Sequence, residues 1–415
     1  GVPAQAIAYV NGIDPAESLV VGMNLVIPLE MIMPTTTYVV QRGDTIYTIA
    51  NQNNTTVAQI ARDNGLTHPY TVIPGQLLII RPGSPMQPRH TIETLGYYSP
   101  PATGDKTALI NELGQYLTYL GVFDFPITAA GEITGTIDEE VLEASTLNSV
   151  IVLPVLTNLL NGEFNSDLAR TVLSDETILN TFLDNILAFL EQYDLRGVII
   201  DFENLYPEDR NIFTDFIRLL SERLHSVDKI LVLNIAPKWE DLPDRPWSGF
   251  FDYSALGQYI DIAAIMTYEC GYITGPPFPI APLPYVRMVL DYAIASNISA
   301  DKILMGMTLY GYNWQIPYSP ESRATTVTLP QVWDLARRYN ANIIFDDESE
   351  TPHMFYVDED NVQHEIWFED ALSHYLKYQL VDEYALRGVF YWIINQPFKA
   401  TWYMVSNLFT IEKNI

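Results

Sequence analysis

Asp201 and Glu203, in the stretch Gly197-Val198-Ile199-Ile200-Asp201-Phe202-Glu203, are the residues whose types and spacing best suit chemistry. The apolar run reads as a short strand. Side chains alternate along a strand, so both carboxylates fall on one face, with Ile199 below them. Two acids side by side repel, which predicts that near neutral pH one holds a proton while the other is ionised. A protonated carboxyl beside an ionised one can give its proton to a leaving group, as breaking a glycosidic bond requires. Taken alone, an Asp-x-Glu at a strand end reads more simply as a solvated terminus. The elements around it decide between the two.

From Ile92 onward short apolar runs alternate with longer amphipathic stretches. The runs are Leu95–Tyr98, Tyr119–Phe125, Val150–Val155, Val198–Phe202, Ile230–Ala236, Ile262–Tyr268, Ile303–Leu309 and Gly388–Ile393. Helical periodicity fills most intervals and is clearest over 178–193, 207–224, 284–295 and 369–383. Eightfold alternation predicts an α/β chain folded as a (β/α)8 barrel, whose active site lies at the C-terminal ends of the strands. Glu203 then ends strand four. The interval after strand seven is too long for one crossover. It holds a helical pattern over 329–339, alternating segments around 343–345, 353–357 and 363–368, and a turn at Asp358-Glu359-Asp360-Asn361. These predict a small α+β insertion, about 315–368, that either walls the cleft or merely covers the barrel top.

The barrel brings distant aromatic residues to the acid pair. Tyr268 ends strand six, Trp392 ends strand eight, and Tyr310 and Trp314 follow strand seven. An aromatic plate can stack on the C–H face of a sugar ring while a phenol binds a polar substituent. Each of these rings taken singly reads as core; their shared position at strand ends favours a sugar site.

Ahead of the barrel lies an internal repeat. Asn11-Gly12-Ile13 followed by Val21-Gly22-Met23-Asn24-Leu25-Val26-Ile27 matches Asn64-Gly65-Leu66 followed by Ile73-Pro74-Gly75-Gln76-Leu77-Leu78-Ile79-Ile80. The second copy also keeps its opening, Tyr38-Val39-Val40-Gln41-Arg42-Gly43-Asp44-Thr45, and reads β-α-α-β. This pattern resembles the LysM domain over residues 37–82, and residues 1–30 resemble the back half of a first copy, which predicts that part of that copy precedes residue 1. The resemblance implies binding to glycans that contain N-acetylglucosamine. The other reading is a structural module without a ligand. Pro82-Gly83-Ser84-Pro85 and Pro88 form a stiff linker to a barrel spanning 91–415.

The barrel itself resembles glycoside hydrolase family 18, and with its repeats the spore cortex-lytic N-acetylglucosaminidases of endospore-forming bacteria. The resemblance rests on Asp201-Phe202-Glu203-Asn204 followed by Pro207-Glu208-Asp209-Arg210, on Met266-Thr267-Tyr268-Glu269, Gly275-Pro276-Pro277, Tyr310-Gly311-Tyr312-Asn313-Trp314, Gln363-His364-Glu365-Ile366-Trp367-Phe368-Glu369-Asp370, and Tyr391-Trp392. It implies substrate-assisted catalysis with retention, without metal or cofactor. Glu203 would be the acid and Asp201 the partner of the substrate acetamido N–H. Tyr268 would orient the acetamido oxygen, and Trp392 would floor the subsite. Glu269, Tyr310, Asn313 and Trp314 would make further substrate contacts. The implied substrate is peptidoglycan, in spore cortex or cell wall, with chitin hydrolysis or silent glycan binding as alternatives.

The chain departs from the family pattern. Many chitinases carry Asp-Gly-x-Asp-x-Asp-x-Glu, whereas Arg196 and Ile199 stand at the first two acidic positions here. Ile199 gives Asp201 no route for passing a proton deeper. Cys270 stands where relatives often have Trp, and Asn313 where they often have Asp.

Composition narrows the partners. The 415 residues carry a formal charge of −29, which opposes binding to nucleic acid or an anionic membrane. No run is long enough to span a bilayer, which predicts a soluble chain. The single cysteine excludes an internal disulfide. The six histidines lack metal-ligand spacing, and no Gly-x-Ser-x-Gly elbow or phosphate loop occurs. Nothing points beyond a monomer.

Overall fold

The computed structural model describes residues 2–28, 36–53, 55, 57–66, 70–80 and 90–413. The linker expected at 82–88 lies outside them.

Eight parallel strands close into a barrel: Thr91–Tyr98, Tyr119–Pro126, Ile151–Thr157, Gly197–Asp201, Ile230–Ile235, Ile262–Ile265, Ile303–Thr308 and Gly388–Trp392. Closure comes from strand eight pairing with strand one, Gly388 opposite Glu93 and Tyr391 opposite Gly96. Every one of the eight apolar runs forms a barrel strand. Strands buried on both faces need continuous apolar sequence, which is why they read so plainly.

The helices dock by one apolar stripe each. Glu176–Gln192 starts at Asp175, whose carboxylate accepts from the Thr177 and Ile178 amides, and it buries Leu179, Phe182, Leu183, Ile186 and Leu190 at helical spacing. Arg210–His225 follows strand four, entered through a 3₁₀ turn at Pro207–Asp209.

After strand seven the insertion forms a five-stranded antiparallel sheet ordered Thr325–Thr328, Tyr310–Ile316, Gln363–Trp367, Thr351–Val357, Ile343–Asp346, with helix Leu329–Arg338. The turn at Asp358 closes as expected, its carboxylate accepting from the Asp360 and Val362 amides. Tyr310 and Tyr312 lie at the root of this sheet, so the insertion is anchored where strand seven ends.

Two N-terminal pieces behave differently. Thr36–Val39 pairs antiparallel with Leu77–Ile80 around helices Ile46–Gln52 and Val57–Asn64, with a small core of its own that includes Ile46, Ile49, Ile60 and Leu78. Residues 2–28 instead join the barrel core through Ala8 and Ile13. The repeat is nevertheless visible in both. The Asn11 side chain donates to Ile7 O and Val26 O and accepts from the Val26 amide. Asn64 makes the corresponding bonds to Ile60 O, Ile79 O and the Ile79 amide. Among the described residues no helix is long and apolar enough to cross a membrane.

Candidate active site

Strand alternation sets the acid pair. Phe202 points outward and packs against Phe182 and Phe216 in the helix layer, ring centroids 6.3 and 5.8 Å away. Asp201 and Glu203 therefore face the barrel mouth. Asn158, just beyond strand three, holds the Glu203 backbone from both sides: its Nδ2 donates to Glu203 O and its Oδ1 accepts from Glu203 N, each at 2.9 Å.

Asp201 is buried, and Asn234 on strand five favours its ionised form through a side-chain hydrogen bond. Tyr97 from strand one in turn donates to Asn234 Oδ1. Asp201 Oδ1 is buried with no hydrogen-bond partner among the described residues. Burial is the main force that raises Asp201, to about 6, and the Asp124 charge adds to it. Glu203 is driven up further, to about 8, by burial first and then by the charges of Asp201 and Glu269. Trp247 opposes that rise, its indole N–H donating to Glu203 Oε2 at 2.7 Å. Between these values the pair holds one proton, with Glu203 as the better donor.

Ile199 sits below Asp201 inside the barrel: a Cβ added at Gly121 would come 3.0 Å from its Cδ1 and 3.2 Å from the Tyr97 ring. Besides its neighbour Glu203, Asp124 on strand two raises Asp201, and Asp124 is itself raised by burial.

Tyr268 lies buried beside the pair, its phenol held far above its ordinary range by burial and then by neighbouring charges, Asp201 and Glu203 among them. Its ring fits because residue 306 is glycine; a Cβ there would meet Tyr268 Cε1 at 2.5 Å. Glu269 accepts from Tyr310 and Tyr312 hydroxyls at 2.7 and 2.8 Å. Trp392 is half-buried, with Phe123 and Tyr97 edge-on to it at 5.1 and 5.5 Å.

The structure thus gathers Asp201, Glu203, Tyr268, Glu269, Tyr310 and Trp392 at one mouth. Two expected contacts lie elsewhere. Asn313 is on the far face of the insertion sheet, donating to Tyr356 and paired with His364. Trp314 is fully buried, its N–H donating to Gly275 O and its ring edge supporting Tyr312. Both are turned from the cleft because strand alternation and packing claim them. Cys270 is partly buried, its thiol pushed up to about 11 by burial, which makes it a poor nucleophile.

Tyr97, Asp124, Asn158, Asn234 and Trp247 were not legible as site residues in the sequence. Asp124 and Asn234, polar residues inside apolar strand runs, carry the signal that could have found two of them.

Residues 159–396 match the glycosyl hydrolases family 18, and residues 38–81 match the LysM domain. The cortical fragment-lytic enzyme of Bacillus anthracis is 36% identical, over 90% of this chain and 98% of that protein. The crystal structure of the Bacillus cereus spore cortex-lytic enzyme SleL superposes with a TM-score of 0.80 at 35% identity, over 99% of this chain and 93% of that one. A chitinase from Chromobacterium violaceum superposes with a TM-score of 0.70 at 26% identity, over 76% of this chain and 98% of that one. With the closed barrel and the strand-four acid pair in place, the chain belongs to glycoside hydrolase family 18 and is a glycoside hydrolase.

Proposed function

We propose that the chain is a retaining N-acetylglucosaminidase that cleaves the β-1,4 bond after N-acetylglucosamine in bacterial peptidoglycan. Its substrate is spore cortex, or cortex fragments, during germination. The observation that supports this reading is Glu203 at the end of strand four, where burial first and then the Asp201 charge push its carboxyl up to about 8, so that it holds a proton at neutral pH.

Glu203 donates its proton to the glycosidic oxygen as the bond to the anomeric carbon breaks. The substrate's 2-acetamido oxygen attacks that carbon from the opposite face, forming an oxazolinium ion. Asp201 accepts the acetamido N–H and offsets the positive charge. Glu203, now a carboxylate, removes a proton from water, which opens the ring with retained configuration. Tyr268 orients the acetamido oxygen and Trp392 floors the sugar. Glu269 and Tyr310 bind sugar hydroxyls, while Asn313 and Trp314 support the wall.

Residues 37–82 anchor the enzyme to wall glycan, residues 1–30 are the back half of a first such unit, 91–415 form the catalytic barrel, and about 315–368 is its insertion. The chain works as a monomer associated with the spore or cell wall. The names of the Bacillus relatives support cortex as substrate. The chitinase likeness supports a second reading, hydrolysis of chitooligosaccharides. Initial rates on purified cortex fragments and on chitotetraose separate the two. Faster turnover of cortex fragments is expected, and equal rates would favour the chitin reading.

A further inference from the structure

The loop after strand five contains a tryptophan in an unusual backbone state that ends on the acid of the site. Trp247 has φ +70°, a region that bulky residues rarely occupy. Its surroundings hold it there. Arg210, on the helix that follows Glu203's own strand, grips Asp241 with two hydrogen bonds of 2.8 and 3.0 Å. The same guanidinium reaches Asp252 and the Gly249 carbonyl. Lys238 ties Asp241 to Phe251 O. At Gly249 a Cβ would come 2.4 Å from Pro243 O, so the loop closes on itself without room to relax. The result is a ring of contacts from Glu203 through Arg210 and the loop, back to Glu203 through the indole.

We propose that Trp247 is a positioning residue for the transferable proton: its indole N–H occupies Glu203 Oε2 and confines that proton to Oε1. An indole N–H can only donate, so Oε2 must stay an acceptor whether Glu203 is charged or neutral. A carboxylic acid free to protonate on either oxygen spends part of its time with the proton turned away from the leaving group. The bond also tightens as Glu203 becomes a carboxylate, because donors to a charged acceptor are the stronger ones. Trp247 thereby eases proton departure and opposes the upward push of burial. The inference rests on Glu203 being the acid, as proposed above.

The test combines a magnetic-resonance titration with kinetics. The 415-residue chain has seven tryptophans, so indole ¹H–¹⁵N spectra are tractable, and the signal lost in Trp247→Phe identifies residue 247. In the native chain that signal should shift with pH, with a midpoint near 8, and Glu203→Gln should abolish the shift. A Trp247 signal that does not titrate, or that titrates unchanged in Glu203→Gln, overturns the proposal whether or not the enzyme turns over. In kinetics, Trp247→Phe should lower kcat by about 10- to 100-fold with KM within about twofold. It should also move the alkaline limb of kcat/KM to higher pH, because the group that favoured the carboxylate is gone. A fall in activity with the limb unmoved means an ordinary packing role and refutes the proposal while leaving Glu203 as the acid. Full activity in Glu203→Gln would instead remove the catalytic reading itself.

Discussion

Asn158 and Glu203 are joined by two reciprocal hydrogen bonds, amide to backbone, each 2.9 Å long. Strand three thereby fixes the height at which strand four ends, and with it the reach of the Glu203 carboxyl. Asn158 is completely buried, so neither the Glu203 amide nor its carbonyl can turn to water if that side chain is lost.

Asn158→Ala should therefore cost about 1–3 kcal/mol of stability and lower kcat by more than tenfold, with a smaller change in KM. Thermal unfolding and steady-state kinetics on soluble glycan fragments check both. A variant with native kcat would mean that the strand end holds its place without the pin.

The acid pair predicts a bell-shaped kcat/KM profile. Below about 6 Asp201 takes up a proton and can no longer accept the acetamido N–H or offset positive charge. Above about 8 Glu203 loses the proton it must donate. The optimum should fall near neutrality, and Asp201→Asn should remove the acidic limb along with most of the rate.

The same burial opposes folding. A carboxyl raised by folding binds more protons folded than unfolded, so its contribution to stability falls as pH rises from the unfolded value, about 4.3, towards about 8 in the fold. Glu203→Gln, which cannot ionise, should gain thermal stability over the native chain, by about 2 °C or more, at pH 9 and little at pH 4. Scanning calorimetry at the two pH values measures it. An equal effect at both would show that Glu203 is not held neutral.

Eight strands and the two carboxylates were legible in the sequence for one reason. A buried parallel strand cannot hide its apolar run, and acids at its end break that run visibly. The residues that place those acids were not legible. Asn158 matters because strand three pairs beside strand four, and Trp247 because Arg210 folds its loop back over the mouth; neither relationship has a local period. Asn313 and Trp314 failed in the opposite way. Their motif stood at the right strand end, but alternation along Tyr310–Ile316 puts Asn313 on the face opposite Tyr310 and Tyr312, and Trp314, on their own face, is taken up by packing against Tyr312 and by Gly275 O.

Gly306 tests the Tyr268 pocket. Gly306→Ala puts a methyl 2.5 Å from Tyr268 Cε1 and 2.9 Å from both Ile265 O and Phe390 Cζ. Tyr268 must move, so kcat should fall at least tenfold, with about 1–3 kcal/mol lost from stability. Kinetics beside a denaturant titration separates the two effects.

The two copies of the repeat offer a matched comparison. Gly22 and Gly75 have nearly the same backbone, φ +89° and +91°. A Cβ at Gly22 would meet Ile343 O at 1.9 Å, whereas at Gly75 nothing lies within 4 Å. The Gly22 turn is docked on the insertion, where the Ile343 amide donates to Val21 O and Arg337 reaches Ser18 O. Gly22→Ala should expose the Ile343 amide to hydrogen exchange. Gly75→Ala should leave that amide protected, costing only local backbone strain of about 1 kcal/mol in the small module.

If Glu203 drives cleavage after N-acetylglucosamine, the new ends of the products must show it. Purified spore cortex is digested with the native chain and with Glu203→Gln, the products are reduced with borohydride, and their new ends are read by mass spectrometry. Reduced N-acetylglucosamine ends made by the native chain alone are the predicted result. Reduced muramic ends, or the same products from Glu203→Gln, would contradict it.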